Sequence, residues 1–158
     1  MRMKLNIEKF SRLPARERVN LVLVMARMVL SDLEGDQAGE YLANLAINLV
    51  SVWVNEGMID GRLVTGEDFL DVLQDENDHG LLVFVDSGNP KSTDHAFNVV
   101  GGVVSYAAWC AFLESGDVLP EGIEEVTDVF VQWIIDEAIS CNSFDGEMVS
   151  DEFRDLLF

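Results

Sequence analysis

From Ala96 to Leu113 the chain runs AFNVVGGVVSYAAWCAFL, eighteen residues without a charge. A strand of a globular protein is usually about five or six residues long, so this stretch reads as a helix. Its length approaches that of a membrane span, but Asn98, Gly101, Gly102 and Ser105 interrupt it, and a helix buried inside protein fits it better. Thr93 stands where it can cap such a helix. Gly101 and Gly102 each cost about 1 kcal/mol relative to Ala inside a helix, which points to another helix crossing closely there. A helix apolar on all sides needs several amphipathic neighbours to cover it.

The rest of the chain supplies them. Pro14 fits the first position of a helix running to about Leu33, with Val19, Val22, Leu23, Ala26 and Leu30 on one face and Gly35 ending it. Leu42, Leu45, Ala46, Leu49 and Trp53 mark a second long helix that Gly57 stops. Thr65 can cap a helix from Gly66 to about Gln74, with Asp68 three residues on to close a capping box. After SGDVLP, the residues Val126, Val129, Phe130, Trp133 and Ile134 mark another helix, and Ser150 opens a short final one. Trp53, Trp109 and Trp133 all fall on apolar faces, which predicts core packing for each. Only LLVFV at 81–85 resembles a strand, and a lone five-residue run cannot make a sheet, so it reads as a buried helical turn. The expected fold is all-α: one domain over residues 1–158, a bundle of about six to eight helices around a buried central helix at about 93–114.

Charge is distributed unevenly. Residues 1–30 hold seven basic and two acidic residues, a net +5, whereas residues 31–158 hold three basic and twenty-seven acidic, a net −24. Such a field repels nucleic acid and anionic membrane and attracts cationic surfaces, so neither nucleic acid nor membrane is an expected partner. Cys110 and Cys141 lie far apart outside any CxxC spacing, and the start of the chain shows no secretory pattern; two reduced thiols in a cytoplasmic protein are expected.

One phrase is written twice, as IDGRLVTGEDFLDVL at 59–73 and FDGEMVSDEFRDLLF at 144–158. An Asp-Gly followed six residues later by Glu resembles half of a calcium loop, which needs oxygen ligands at positions 1, 3, 5 and 12 around a Gly at 6. With Gly61 sixth, the ligands would be Glu56, Met58, Asp60 and Glu67; with Gly146 sixth, Cys141, Ser143, Asp145 and Glu152. A thioether or thiol is the wrong donor for a hard cation. A third frame, Asp75-Asn77-His79-Gly80 ending at Asp86, places an imidazole fifth. No metal or other cofactor is therefore expected. The phrase reads instead as a helix-to-helix joint used twice: Asp-Gly turns the chain with positive φ, an apolar pair enters the core, and Ser or Thr caps the next helix.

No catalytic residue is assigned. GxGxxG, P-loop, GxSxG and HExxH spacings are absent, and GNPKST at 88–93 lacks the glycine spacing of a phosphate cradle. His79 and His95 are the two imidazoles, and His79 sits among Asp75, Glu76, Asp78 and Asp86, where a solvated loop is the simpler reading. A degenerate EF-hand-like calcium protein and a small hydrolase using the acids near His79 stand as alternatives.

Residues 50–82, VSVWVNEGMIDGRLVTGEDFLDVLQDENDHGLL, followed by 103–126, VVSYAAWCAFLESGDVLPEGIEEV, resemble the all-α immunity proteins encoded beside bacterial polymorphic toxins, including those of contact-dependent growth inhibition systems. The shared features are a Trp closing a helix before a Gly, a turn and short helix leading to an acidic loop, and a Tyr-Ala-Ala-Trp helix with a Leu-Pro-x-Gly-type exit. The resemblance covers about residues 14–126, leaving the basic first ten residues and the second copy of the repeated phrase outside. It implies an antitoxin that binds the C-terminal toxin domain of its own locus. With the acidic excess, the expected partner is a basic domain, a nuclease, held by stoichiometric inhibition. The densest acidic stretch supplies the expected contact residues: Glu67, Asp68, Asp71, Asp75, Glu76, Asp78 and Asp86, with Asp94 just beyond.

Overall fold

The structure, a computed structural model, describes residues 2–74 and 92–158. Seven α-helices occur among them: α1 (Ile7–Ser11), α2 (Ala15–Met28), α3 (Gln37–Asn55), α4 (Gly66–Leu73), α5 (Ser92–Ser115), α6 (Phe130–Ile139) and α7 (Gly146–Phe153). The uncharged run forms α5, which packs against α2, α3, α4 and α6. Val99, Val100, Val103, Tyr106 and Ala107 of α5 are wholly buried. Burying each such large side chain contributes about 1.5–3 kcal/mol, so the centre of the molecule is built on this helix. Among the described residues α5 alone is long and apolar enough to cross a membrane, and 78% of its apolar window lies buried inside the protein. It is a core helix. Thr93 does not cap it: α5 begins one residue earlier, and the Thr93 hydroxyl donates to the Asp32 carbonyl at 3.3 Å.

The expected close crossing exists at Gly102. A β-carbon there would lie 3.0 Å from Ile134 Cγ1 and 3.1 Å from Trp133 Cζ3, so α6 approaches α5 where a side chain is missing. On α2, Val19, Val22, Leu23 and Ala26 are wholly buried as the periodicity predicts. Pro14 is the residue before the helix, and a 3₁₀ turn (Val29–Leu33) carries the chain to Gly35, whose φ of +99° turns it.

The face expected for α6 is right in part: Val126 and Ile134 are buried and Phe130 is half-buried. Val131, Ile134, Ile135 and Ala138 are buried, whereas Val129 precedes the helix on the surface and Trp133 is 40% exposed, stacked on Phe130 at 4.9 Å between centroids. Of the three tryptophans only Trp53 is fully in the core; Trp109 is half-buried and stacks on Tyr106. On α3, Ala43, Ala46, Ile47 and Val50 are buried with Trp53, and Leu45 is turned outward.

The repeated phrase folds in two different ways. In the first copy, Met58–Ile59 (β1) and Arg62–Leu63 (β2) pair antiparallel, Met58 opposite Leu63 and Ile59 opposite Arg62. Asp60 (φ +50°) and Gly61 (φ +75°) form the two-residue turn, both with the positive φ of a type I′ hairpin. Only Val64 of the expected apolar pair is buried; Leu63 is exposed. In the second copy no hairpin forms. Asp145 is the N-cap of α7, accepting from the Met148 N–H at 3.1 Å, and Gly146 is already helical, so Ser150 lies mid-helix rather than opening it. The cause lies just upstream: the Asp32 carboxylate accepts the N–H groups of Asn142 (2.8 Å) and Ser143 (3.0 Å), fixing the segment that a hairpin would need as its first strand.

The two ends of the described chain meet. Leu5 and Leu157 form an isolated antiparallel bridge, and the Phe158 N–H donates to Lys4 O at 2.9 Å.

Candidate partner-binding surface

Most cations of the N-terminal segment are engaged by the protein itself. Arg12 pairs with Glu8 at 2.6 Å. Arg18, mostly buried, donates to Leu13 O, Tyr106 Oη and Asp128, and Tyr106 also donates to Asp128, a cluster that ties α2 to α5 and to the turn before α6. Burial raises the Tyr106 pKa, so its phenol stays protonated as the donor. Arg16 lies over the Trp53 ring, 4.3 Å from its centroid, and donates to Trp53 O and to Glu114 at 2.6 Å. Arg27 donates to Ser51 Oγ at 3.1 Å, and Lys4 lies 5.6 Å from the Phe158 ring centroid.

Of the acids singled out from the sequence, Glu67, Asp68 and Asp71 lie on α4. Glu67 and Asp71, four residues apart, share its solvent face. Asp68 has local work: its carboxylate accepts from the Thr65 N–H (2.7 Å) and Arg62 (3.0 Å), and the Thr65 side chain completes the capping box. Burial raises the Asp68 pKa, but the hydrogen bonds from Arg62 and Thr65 outweigh it and hold the carboxyl below its ordinary value. Asp75, Glu76, Asp78 and Asp86 lie outside the described residues, as do His79 and 81–85. Asp94 is buried at the start of α5, away from any outer contact.

A feature not expected from the sequence adjoins α4. The β1–β2 hairpin presents Met58 and Leu63, cross-strand partners on one face, to solvent, with Leu63 64% exposed. Leu63 also borders a cleft of about 190 Å³ between the hairpin and the end of α5. Trp53, Leu63, Val64 and Ala111 give it apolar walls, and Glu114, Ser115 and Asp117 stand at the α5 side. Its floor is firm, because a β-carbon on Gly66 would sit 2.5 Å from the Phe112 ring, which locks α4 against α5. Glu114 and Asp117 are exposed where they line this cleft, and Glu56, Asp60 and Glu67 are exposed on the segments that flank its lining residues in sequence. A second depression, about 1030 Å³ and wide open, lies at the start of α3 between Asp36, Glu40 and Tyr41. The sequence signal for the hairpin was Asp-Gly between short apolar segments, a strong two-residue turn marker.

Other reactive groups are tied into packing. His95 Nδ1 meets Glu137, whose other oxygen accepts from Asn98 at 3.1 Å, linking α5 to α6. Cys110 and Cys141 are buried, and burial pushes each thiol up to about 12. Among the described residues, no three His, Cys, Asp or Glu side chains gather closely enough to hold a metal ion.

These elements define an acidic all-α domain with an apolar-centred, carboxylate-rimmed surface. Residues 17–141 match the family described as Immunity protein Imm6, and the chain belongs to that family. Its function is accordingly that of an immunity protein, the neutralisation of a toxin. The match includes α6, beyond the range of the sequence resemblance, and leaves α7 outside. No curated protein matches the chain, and no solved structure does.

Proposed function

We propose that the protein is a non-enzymatic, stoichiometric inhibitor of a cationic toxin domain, a nuclease of a polymorphic-toxin or contact-dependent growth inhibition system, acting in the bacterial cytoplasm. The supporting observation is electrostatic. Arg12, Arg16 and Arg18 are paired with Glu8, Glu114 and Asp128, while Glu67 and Asp71 face solvent within a net charge of −19. A toxin that cleaves nucleic acid needs a basic cleft for the phosphate backbone, and a carboxylate-rich surface complements it, raising the association rate and setting orientation. The test is to co-express the toxin domain of the same locus with this protein, count survivors, and titrate the purified pair in a nucleic-acid cleavage assay. Inhibition that is complete at one equivalent supports the proposal. Protection without binding, or binding to a toxin with no basic surface, contradicts it.

A further inference from the structure

We infer that the toxin docks on the hairpin side of the molecule, placing one large apolar side chain in the cleft between β2 and the end of α5, with basic residues around it facing Glu56, Asp60, Glu67 and Asp117. This rests on the toxin-binding reading above and adds where and how binding occurs. All four strand residues of the hairpin are exposed, and the apolar exposure is greatest on the face of Met58 and Leu63, 44% and 64%, against 37% for Ile59 on the other face. Stable interfaces combine a desolvated apolar centre with a polar rim, and a few buried anchors supply most of the affinity. The hairpin has that arrangement. Met58 and Leu63 stand on one face, Leu63 leads into a cleft of about 190 Å³, Glu114 and Asp117 line that cleft at the end of α5, and Asp60 and Glu67 are exposed on the hairpin turn and the first turn of α4 that adjoin it in sequence. The anchor is apolar because Trp53, Leu63, Val64 and Ala111 line the cleft, and because the polar pair that also lines it, Arg16 and Glu114, is already joined at 2.6 Å. The surrounding charge selects a partner with a basic rim. The site is also preorganised: the type I′ turn at Asp60 and Gly61, the Thr65–Asp68 capping box and the Gly66–Phe112 contact all hold its walls.

Among the other exposed apolar residues, Val129 and Trp133, before and on α6, serve as an internal control because Trp133 already stacks on Phe130 at 4.9 Å. The probe is the toxin domain whose killing the wild-type protein suppresses, in a catalytically silenced form. Three variants are compared for binding kinetics and protection, each checked by circular dichroism melting. Met58→Ser/Leu63→Ser removes the apolar centre, Ser115→Phe fills the cleft from its α5 side, and Val129→Ser/Trp133→Ser changes the control patch. The first two are expected to dissociate at least about tenfold faster, with a salt dependence of association like that of wild type, and the third to bind as wild type does. If both hairpin-side variants bind and protect like wild type while folded, or if only the α6 variant loses binding, the docking site lies elsewhere although the toxin-binding function stands. If wild type itself binds no toxin, the functional proposal falls, and this inference with it.

Discussion

The guanidinium of Arg16 lies 4.3 Å from the Trp53 ring centroid while donating to Glu114 at 2.6 Å, so one side chain from α2 fastens the end of α3 to the end of α5. Arg16→Ala is expected to cost about 1–2 kcal/mol in urea denaturation, combining a partly exposed cation–π contact with an ion pair of modest worth. Arg16→Lys should recover less than half, because an ammonium cannot stack its plane on the indole and reach Glu114 together. Equal stability of all three proteins would remove this clamp from the account.

The capping box predicts a pH effect with a definite sign. Asp68 is held below its ordinary pKa of 3.8 in the folded protein, so its contribution is full above the unfolded pKa and is lost as pH falls through the lower folded value. Thr65→Ala should cost about 1 kcal/mol at neutral pH. The stability of Asp68→Ala should approach that of wild type as pH falls progressively below the ordinary carboxyl value of 3.8. Glu67→Gln and Asp71→Asn, on the solvent face of the same helix, should move stability by less than about 0.5 kcal/mol. Stability curves against pH that run parallel for wild type and Asp68→Ala would contradict this role.

The two Asp-Gly copies predict opposite sensitivities. Gly61→Val forces a β-branched residue to φ +75° and should destabilise by more than about 1 kcal/mol. In the second copy the aspartate carries the load: Asp145→Ala should cost about 1 kcal/mol by removing the cap on Met148 N–H. Gly102→Leu should cost about 1–3 kcal/mol by overpacking α5 against α6. Thermal melts of the three variants check all of this, and a Gly102→Leu protein that melts like wild type would place the crossing elsewhere.

Both thiols should be silent in the native state. Cys110 and Cys141 are buried with pKa values near 12, so at pH 8 an aromatic disulfide reagent should label neither until denaturant is added, after which both should react. Rapid labelling of either in the folded protein would show that its surroundings open.

The parts of the fold legible in sequence were those fixed by local rules. Eighteen uncharged residues interrupted by Asn98, Gly101, Gly102 and Ser105 fit a buried helix better than a membrane span, Gly35 ends its segment with positive φ, and Thr65 with Asp68 caps α4. What escaped depended on partners distant in sequence. The second Asp-Gly became a helix cap because Asp32, over a hundred residues earlier, holds Asn142 and Ser143. On α6 the periodicity gives Ile134 inward correctly but not Val131, Ile135 and Ala138, because the helix is apolar on two sides and its packing on α5, with both Ile134 and Trp133 against Gly102, sets the face. At the candidate surface, counting acids gives Glu67, Asp68, Asp71 and Asp94 the same weight, whereas in the fold Glu67 and Asp71 are exposed, Asp68 is part of a cap and Asp94 is buried. The apolar pair Met58 and Leu63 was passed over, since two-residue strands show no alternation to read.

Association kinetics across a salt series test the central claim most directly. With the silenced toxin domain, wild-type protein should associate progressively more slowly from about 0.05 to 1 M salt, as the Debye length shrinks to about 3 Å. Glu67→Lys/Asp71→Lys should start slower and lose much of that slope while remaining folded. A wild-type rate that does not change with salt, or a charge-reversed protein that matches wild type in slope and in protection of cells, would contradict neutralisation through this acidic surface.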